Sequence, residues 1–143
     1  MLRRRLFILA ITILVSATAI FPQADLRSRA EATNFEETSR YADVQAFIAE
    51  LQKRSQQVRV TDFGTSVEGR KLPLMILSDR PISTPAEAKA AGRPVIFIMG
   101  NIHAGEVDGQ DAGFRALRQV LEGQGAPGAL DRLVWLFVPV FNV

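Results

Sequence analysis

Pro94-Val95-Ile96-Phe97-Ile98-Met99-Gly100-Asn101-Ile102-His103-Ala104-Gly105-Glu106 is the stretch that decides how this chain folds. Val95–Met99 is continuously apolar, without the alternation of a half-exposed strand, and predicts a strand covered on both faces. Gly100 and Asn101 then give the backbone freedom to turn. His103-Ala104-Gly105-Glu106 opens an amphipathic segment in which Phe114, Leu117 and Val120/Leu121 recur at helical spacing up to Gly123. Gly109 and Gly113 weaken that helix unless close packing against a sheet requires them. Gly123–Gly128 reads as a loop, and Leu133–Val138 is a second fully apolar run. Strand, helix, strand in that order is a βαβ unit, whose crossover is expected to be right-handed. Such sheets bind ligands beyond the carboxyl ends of their strands, and His103 falls there.

Working back from this unit, Tyr41, Val44, Phe47/Ile48 and Leu51 follow one helix face. Ser39 is the expected N-cap, and Lys53 and Arg54 suit the negative end of the helix dipole. Val58–Phe63 alternates as a half-exposed strand, Gly64–Lys71 is a turn, and Leu72–Leu77 is a second strand with Pro73 near its start. The simplest pairing is a hairpin. Thr84-Pro85-Ala86-Glu87 is a capping box with proline at the first helical position, and Gly92 ends the short helix Pro85–Ala91. The elements predict an α/β domain, a mixed sheet with flanking helices, over residues 39–143.

The N-terminus reads differently. Arg3, Arg4 and Arg5, the apolar Leu6–Val15 and Ala17-Thr18-Ala19 form a signal peptide, residues 1–19. Extended to Phe21, its apolar stretch still falls short of the ~20 residues a bilayer span needs, so no membrane span is expected after cleavage. Arg4-Arg5-Leu6-Phe7-Ile8 is also similar to a twin-arginine signal, and the greasy apolar region favours the general secretory route. The expected location is secreted or periplasmic. Residues 20–38 are polar and aperiodic and read as a flexible mature N-terminus. The chain carries 17 basic and 15 acidic residues, and removal of the three signal arginines leaves 14 against 15. The net charge of the mature part is then −1, so nothing in it predicts nucleic-acid binding. With no cysteine, an exported domain relies on its core rather than on disulfides.

The chemistry follows from donor types. Zinc hydrolases often use two histidines and a glutamate, leaving a fourth position for water whose pKa the metal lowers toward ~7. A His and a Glu three apart around a strand-to-helix turn point at one ion, and the small Ala104 and Gly105 let the backbone turn between them. Asp108 and Asp111 are candidates for orienting the histidine ring. His103 is the only histidine, so the chain does not complete such a site alone.

Residues 41–143 resemble the N-terminal part of the zinc carboxypeptidases, the carboxypeptidase A/B-type metallopeptidases. Phe63-Gly64-Thr65-Ser66-Val67-Glu68-Gly69-Arg70 resembles their G-x-S-x-E-G-R turn, Asn101–Glu106 their zinc-ligand segment, and Val138-Pro139-Val140-Phe141-Asn142 their P-x-x-N-x-D-G segment. The resemblance implies a Zn2+ cofactor with His103 and Glu106 as its first two ligands. It implies a turn-stabilising role for Arg70, a mere turn position for Glu68, and a strand-end position for Asn142. The third ligand, the general base and the carboxylate-binding residues of the family lie downstream, so the general base is expected beyond Val143 and no catalytic or substrate-binding residue is assigned. Gly105 stands where pancreatic-type members carry a substrate-holding arginine, which leaves the substrate a peptide or an N-acyl amino acid. The chain is therefore expected to be the leading part of a longer enzyme, its sheet and site incomplete, inactive alone and prone to aggregate. A related zinc deacylase or amidase, or a non-catalytic exported binding module, are the alternatives.

Overall fold

The computed structural model describes residues 26–143. The expected signal peptide and residues 20–25 lie outside the described residues. Of the remainder of the segment expected to be flexible, residues 26–31 are instead docked on the domain, while residues 34–38 are exposed. Its helical turn α1 (Arg29–Ala32) is closed by a capping box between Ser28 and Glu31, and Leu26 and Ala30 are buried. Arg118 holds it in place, forming two bonds of 2.7 Å to the Glu31 carboxylate and donating to the Leu26 carbonyl. These two apolar anchors are too few to register as a periodic pattern.

Helix α2 (Tyr41–Arg54) buries Val44, Phe47, Ile48 and Leu51, the face read from the sequence. Its cap differs from the expectation. Arg40 is the N-cap residue and its N–H donates to the Asp43 carboxylate at 2.9 Å. Ser39 is one residue too early; its hydroxyl donates to Asp111 at 2.9 Å.

Strands β1 (Val58–Thr65) and β2 (Lys71–Leu77) form the expected antiparallel hairpin. Asp62 opposes Pro73 and Gly64 opposes Leu72, which leaves Phe63 as a β-bulge. Pro73 lies where β2 pairs only with β1, so its missing N–H costs no second ladder. Helix α3 (Pro85–Ala90) has the Thr84–Glu87 capping box. Strand β3 (Val95–Met99), helix α4 (Asp108–Leu121), a short helix α5 (Ala129–Arg132) and strand β4 (Val134–Val138) complete the described chain. The four strands form one mixed sheet in the order β1-β2-β4-β3, with β3 parallel to β4 and β4 antiparallel to β2. Helix α5 has no signal in the sequence because four residues carry no period; Leu130 anchors it, and its carbonyl accepts from Arg93.

Both faces of the sheet are used. Met75, Leu77 and Phe137 join Val44, Phe47, Phe114 and Leu117 in the main core beneath α2 and α4. Ile76 and Val134 point the other way and pack with Ile82 and Ala88 of the α3 side. Alternation therefore persists along β4 although every residue is apolar. The helix glycine has its reason too: a Cβ on Gly113 would lie 2.2 Å from the Phe137 ring. Gly113 lets α4 approach the sheet, and Phe114 then stacks on Phe47 at 4.2 Å and meets Phe137 edge-on at 5.8 Å.

One strand departs from the reading. β3 is not covered on both faces: Val95, Ile96 and Phe97 are 47, 36 and 57% exposed. Among the described residues it is the edge of the sheet, and only its Ile98 end reaches the main core.

Candidate metal centre

The segment after β3 is fixed more tightly than its glycine and asparagine predict. A Cβ on Gly100 would fall 3.0 Å from both the Gln110 nitrogen and the Pro139 carbonyl, so α4 and the segment after β4 close on it from two sides. The glycine is needed for approach rather than for freedom. Asn101 follows with φ 50, buried, and its Nδ2 donates to the Asn142 carbonyl at 2.7 Å. The chain thus leaves the carboxyl end of β3 at a set angle.

From there a short turn, closed by the Glu106 N–H on the His103 carbonyl at 3.2 Å, brings the two side chains together. His103 Nδ1 lies 3.0 Å from Glu106 Oε2. Both side chains face solvent, 78 and 65% exposed, just ahead of α4. Gly105 between them has φ 91, a conformation that favours glycine. A nitrogen and a carboxylate oxygen are ordinary zinc donors, and donors around a tetrahedral zinc sit about 3.3 Å apart. The pair fits one edge of such a site. No group of three or more His, Cys, Asp or Glu able to hold a metal occurs among the described residues.

The residues proposed to orient the ring are placed elsewhere. Asp111 accepts the Ser39 hydroxyl, and Asp108 makes no bond to His103 among the described residues. The partner of His103 Nδ1 is Glu106 itself. Arg70 closes the hairpin turn: its N–H donates to Ser66 Oγ at 3.1 Å, its carbonyl accepts from the Ser66 N–H at 2.8 Å, and its guanidinium pairs with Glu68 at 2.6 Å. Arg70, Asn101, Ala104, Gly105 and Asn142 line one cavity of about 430 Å³ beside the ligand turn. The sequence motifs at Arg70, His103 and Asn142 are thereby gathered at one end of the sheet. What the reading missed is Asn101, whose burial and clamp no pattern announces; the Gly-Asn pair signals only a turn.

The sequence profile of the zinc carboxypeptidases matches residues 44–143. The chain belongs to the zinc carboxypeptidase family. The fold agrees. The carboxypeptidase A of Helicoverpa armigera superposes with a TM-score of 0.61 at 23% identity, over 74% of this chain and 25% of that one. Bovine thrombin-activatable fibrinolysis inhibitor, solved with tick carboxypeptidase inhibitor, gives 0.59 at 18% identity, over 77% and 33%. This member spans about a quarter to a third of the length of those carboxypeptidases. No curated protein matches it. Among the described residues no helix is long and apolar enough to cross a membrane.

Proposed function

We propose that this chain contributes the first two zinc ligands, His103 and Glu106, of an exported metallocarboxypeptidase that hydrolyses peptide bonds. The observation that carries the proposal is the 3.0 Å approach of His103 Nδ1 and Glu106 Oε2 at the carboxyl end of β3, inside the segment matched by the family. Zinc, when bound, supplies Lewis acidity toward a carbonyl and acidifies water. The chain's own residues do the rest. The imidazole and the carboxylate present their donors from a turn that β3, α4 and Asn142 hold in place. Gly105 leaves the mouth beside them unobstructed, which keeps N-acyl amino acids as substrates alongside peptides. With two donors, this chain is proposed to bind zinc weakly and to lack hydrolytic activity by itself.

Zinc titration of the purified chain against a chromophoric chelator tests this. Binding lost in His103→Ala and weakened in Glu106→Gln is the expected result; affinity equal to wild type in His103→Ala overturns the ligand assignment. Zinc-dependent hydrolysis of a blocked peptide by the chain alone would overturn its proposed incompleteness.

A further inference from the structure

Asn101 stands two residues before His103 and takes no part in the zinc assignment. Its backbone is left-handed, φ 50, a conformation that asparagine tolerates better than most residues. Its side chain is buried, 9% exposed. The bonding between β3 and β4 continues past Met99. The Gly100 N–H donates to the Val138 carbonyl at 2.8 Å, the Phe141 N–H to the Gly100 carbonyl at 3.2 Å, and the Asn142 N–H to the Asn101 carbonyl at 3.0 Å. In a continued parallel ladder the Asn142 carbonyl would next accept from the N–H of residue 103, two beyond the residue its own N–H reaches. The left-handed turn carries the chain away from the sheet at that point. The Asn101 carboxamide takes over: Nδ2 donates to the Asn142 carbonyl at 2.7 Å. One residue thus holds both backbone groups of Asn142.

We propose that Asn101 is a positioning residue, whose carboxamide stands in for the missing ladder donor and locks the His103–Glu106 turn to residue 142. Without it, the last tie is the bond from the Asn142 N–H to the Asn101 carbonyl, and the turn swings beyond that point. The geometry stands on its own; only its consequence for zinc rests on the ligand assignment above.

Two variants separate the clamp from the backbone. Asn101→Gly keeps the left-handed conformation and deletes the donor. Asn101→Asp keeps shape and sets a carboxylate oxygen against the Asn142 carbonyl. If Asn101→Asp does not fold, Asn101→Gly carries the test, since glycine meets no strain at this φ. On the purified full chain, amide hydrogen exchange is read at the bonded amides of Glu106, Phe141 and Asn142 and, as a reference, at Leu136 and Phe137. Zinc alone is titrated in parallel.

The expected result for Asn101→Gly is exchange about tenfold faster at Glu106, Phe141 and Asn142, as for loss of one hydrogen bond, with the reference amides unchanged. Zinc affinity falls about tenfold, the scale of an orienting contact. Unchanged exchange at those three amides in Asn101→Gly overturns the proposal, as does exchange that rises equally there and in β4, the mark of a merely structural residue. The two readings fail separately. If the wild type binds no zinc while exchange responds, the ligand assignment falls and the clamp stands. If His103→Ala abolishes zinc binding while Asn101→Gly changes neither readout, the clamp falls.

Discussion

Val95–Met99 and Val134–Val138 are five-residue apolar strands that lie side by side in the sheet, with Ile98 opposite Phe137. By composition they are near twins, and both predict full burial. Phe137 is completely buried, whereas Phe97 is 57% exposed. Neighbours make the difference: among the described residues β4 has a strand on each side and helices on both faces, while β3 has one neighbour and is covered only toward its end. A continuous apolar run reports that a strand is built to be covered. It does not report that the cover is present.

The contrast is open to measurement by urea unfolding. The largest effect is expected for Phe137→Ala, about 3–5 kcal/mol of stability, because the cavity opens between Phe114, Gly113 and the sheet. Phe97→Ala is expected to change stability by less than about 0.5 kcal/mol; a loss comparable to that of Phe137→Ala would mean the edge is not exposed in solution. Next is Gly113→Ala, expected to cost about 1–3 kcal/mol by driving a methyl into the Phe137 ring. The same substitution at Gly109, whose Cβ would meet only ordinary contact at 3.5 Å, serves as its control.

A smaller effect concerns how far the buried half extends. Hydrogen bonds from Arg118 hold the Glu31 carboxyl below the ordinary glutamate range. A depressed carboxyl contributes stability that is complete above the unfolded-state pKa and lost as pH falls through the folded one. Below about pH 4.5 the wild type should therefore lose more stability than Glu31→Gln, with a difference under about 1 kcal/mol for a partly exposed pair. Equal acid slopes would show that the N-terminal segment is not held by this pair. The smallest thermodynamic change accompanies Phe97→Lys, which should leave the unfolding midpoint in place while lowering concentration-dependent light scattering. Scattering equal to wild type would place self-association somewhere other than β3.

Much of the architecture was legible because it rests on local chemistry. The 3.6-residue spacing of Val44, Phe47, Ile48 and Leu51, the Thr84–Glu87 box and the hairpin around Gly69 each involve residues close in sequence. So does the His103–Glu106 pair, three residues apart. The rest is non-local. Ser39 meets Asp111 across 72 positions, Glu31 meets Arg118 across 87, and Asn101 reaches Asn142 across 41. A one-dimensional pattern carries no trace of such partners, which is why a docked segment read as flexible and a clamped turn read as free. The exposure of β3 was hidden for the same reason, since strand order depends on pairings between distant segments.

The bulge at Phe63 has a consequence for how the hairpin finds its alignment. Phe63 stacks on Phe141 with ring centroids 6.0 Å apart. Sliding β1 by one residue against β2 would send Phe63 to the opposite face and leave Phe141 without its ring partner. The extra residue acts as a ratchet tooth: it allows one engagement of the hairpin with the chain that leaves β4 and penalises the slips on either side.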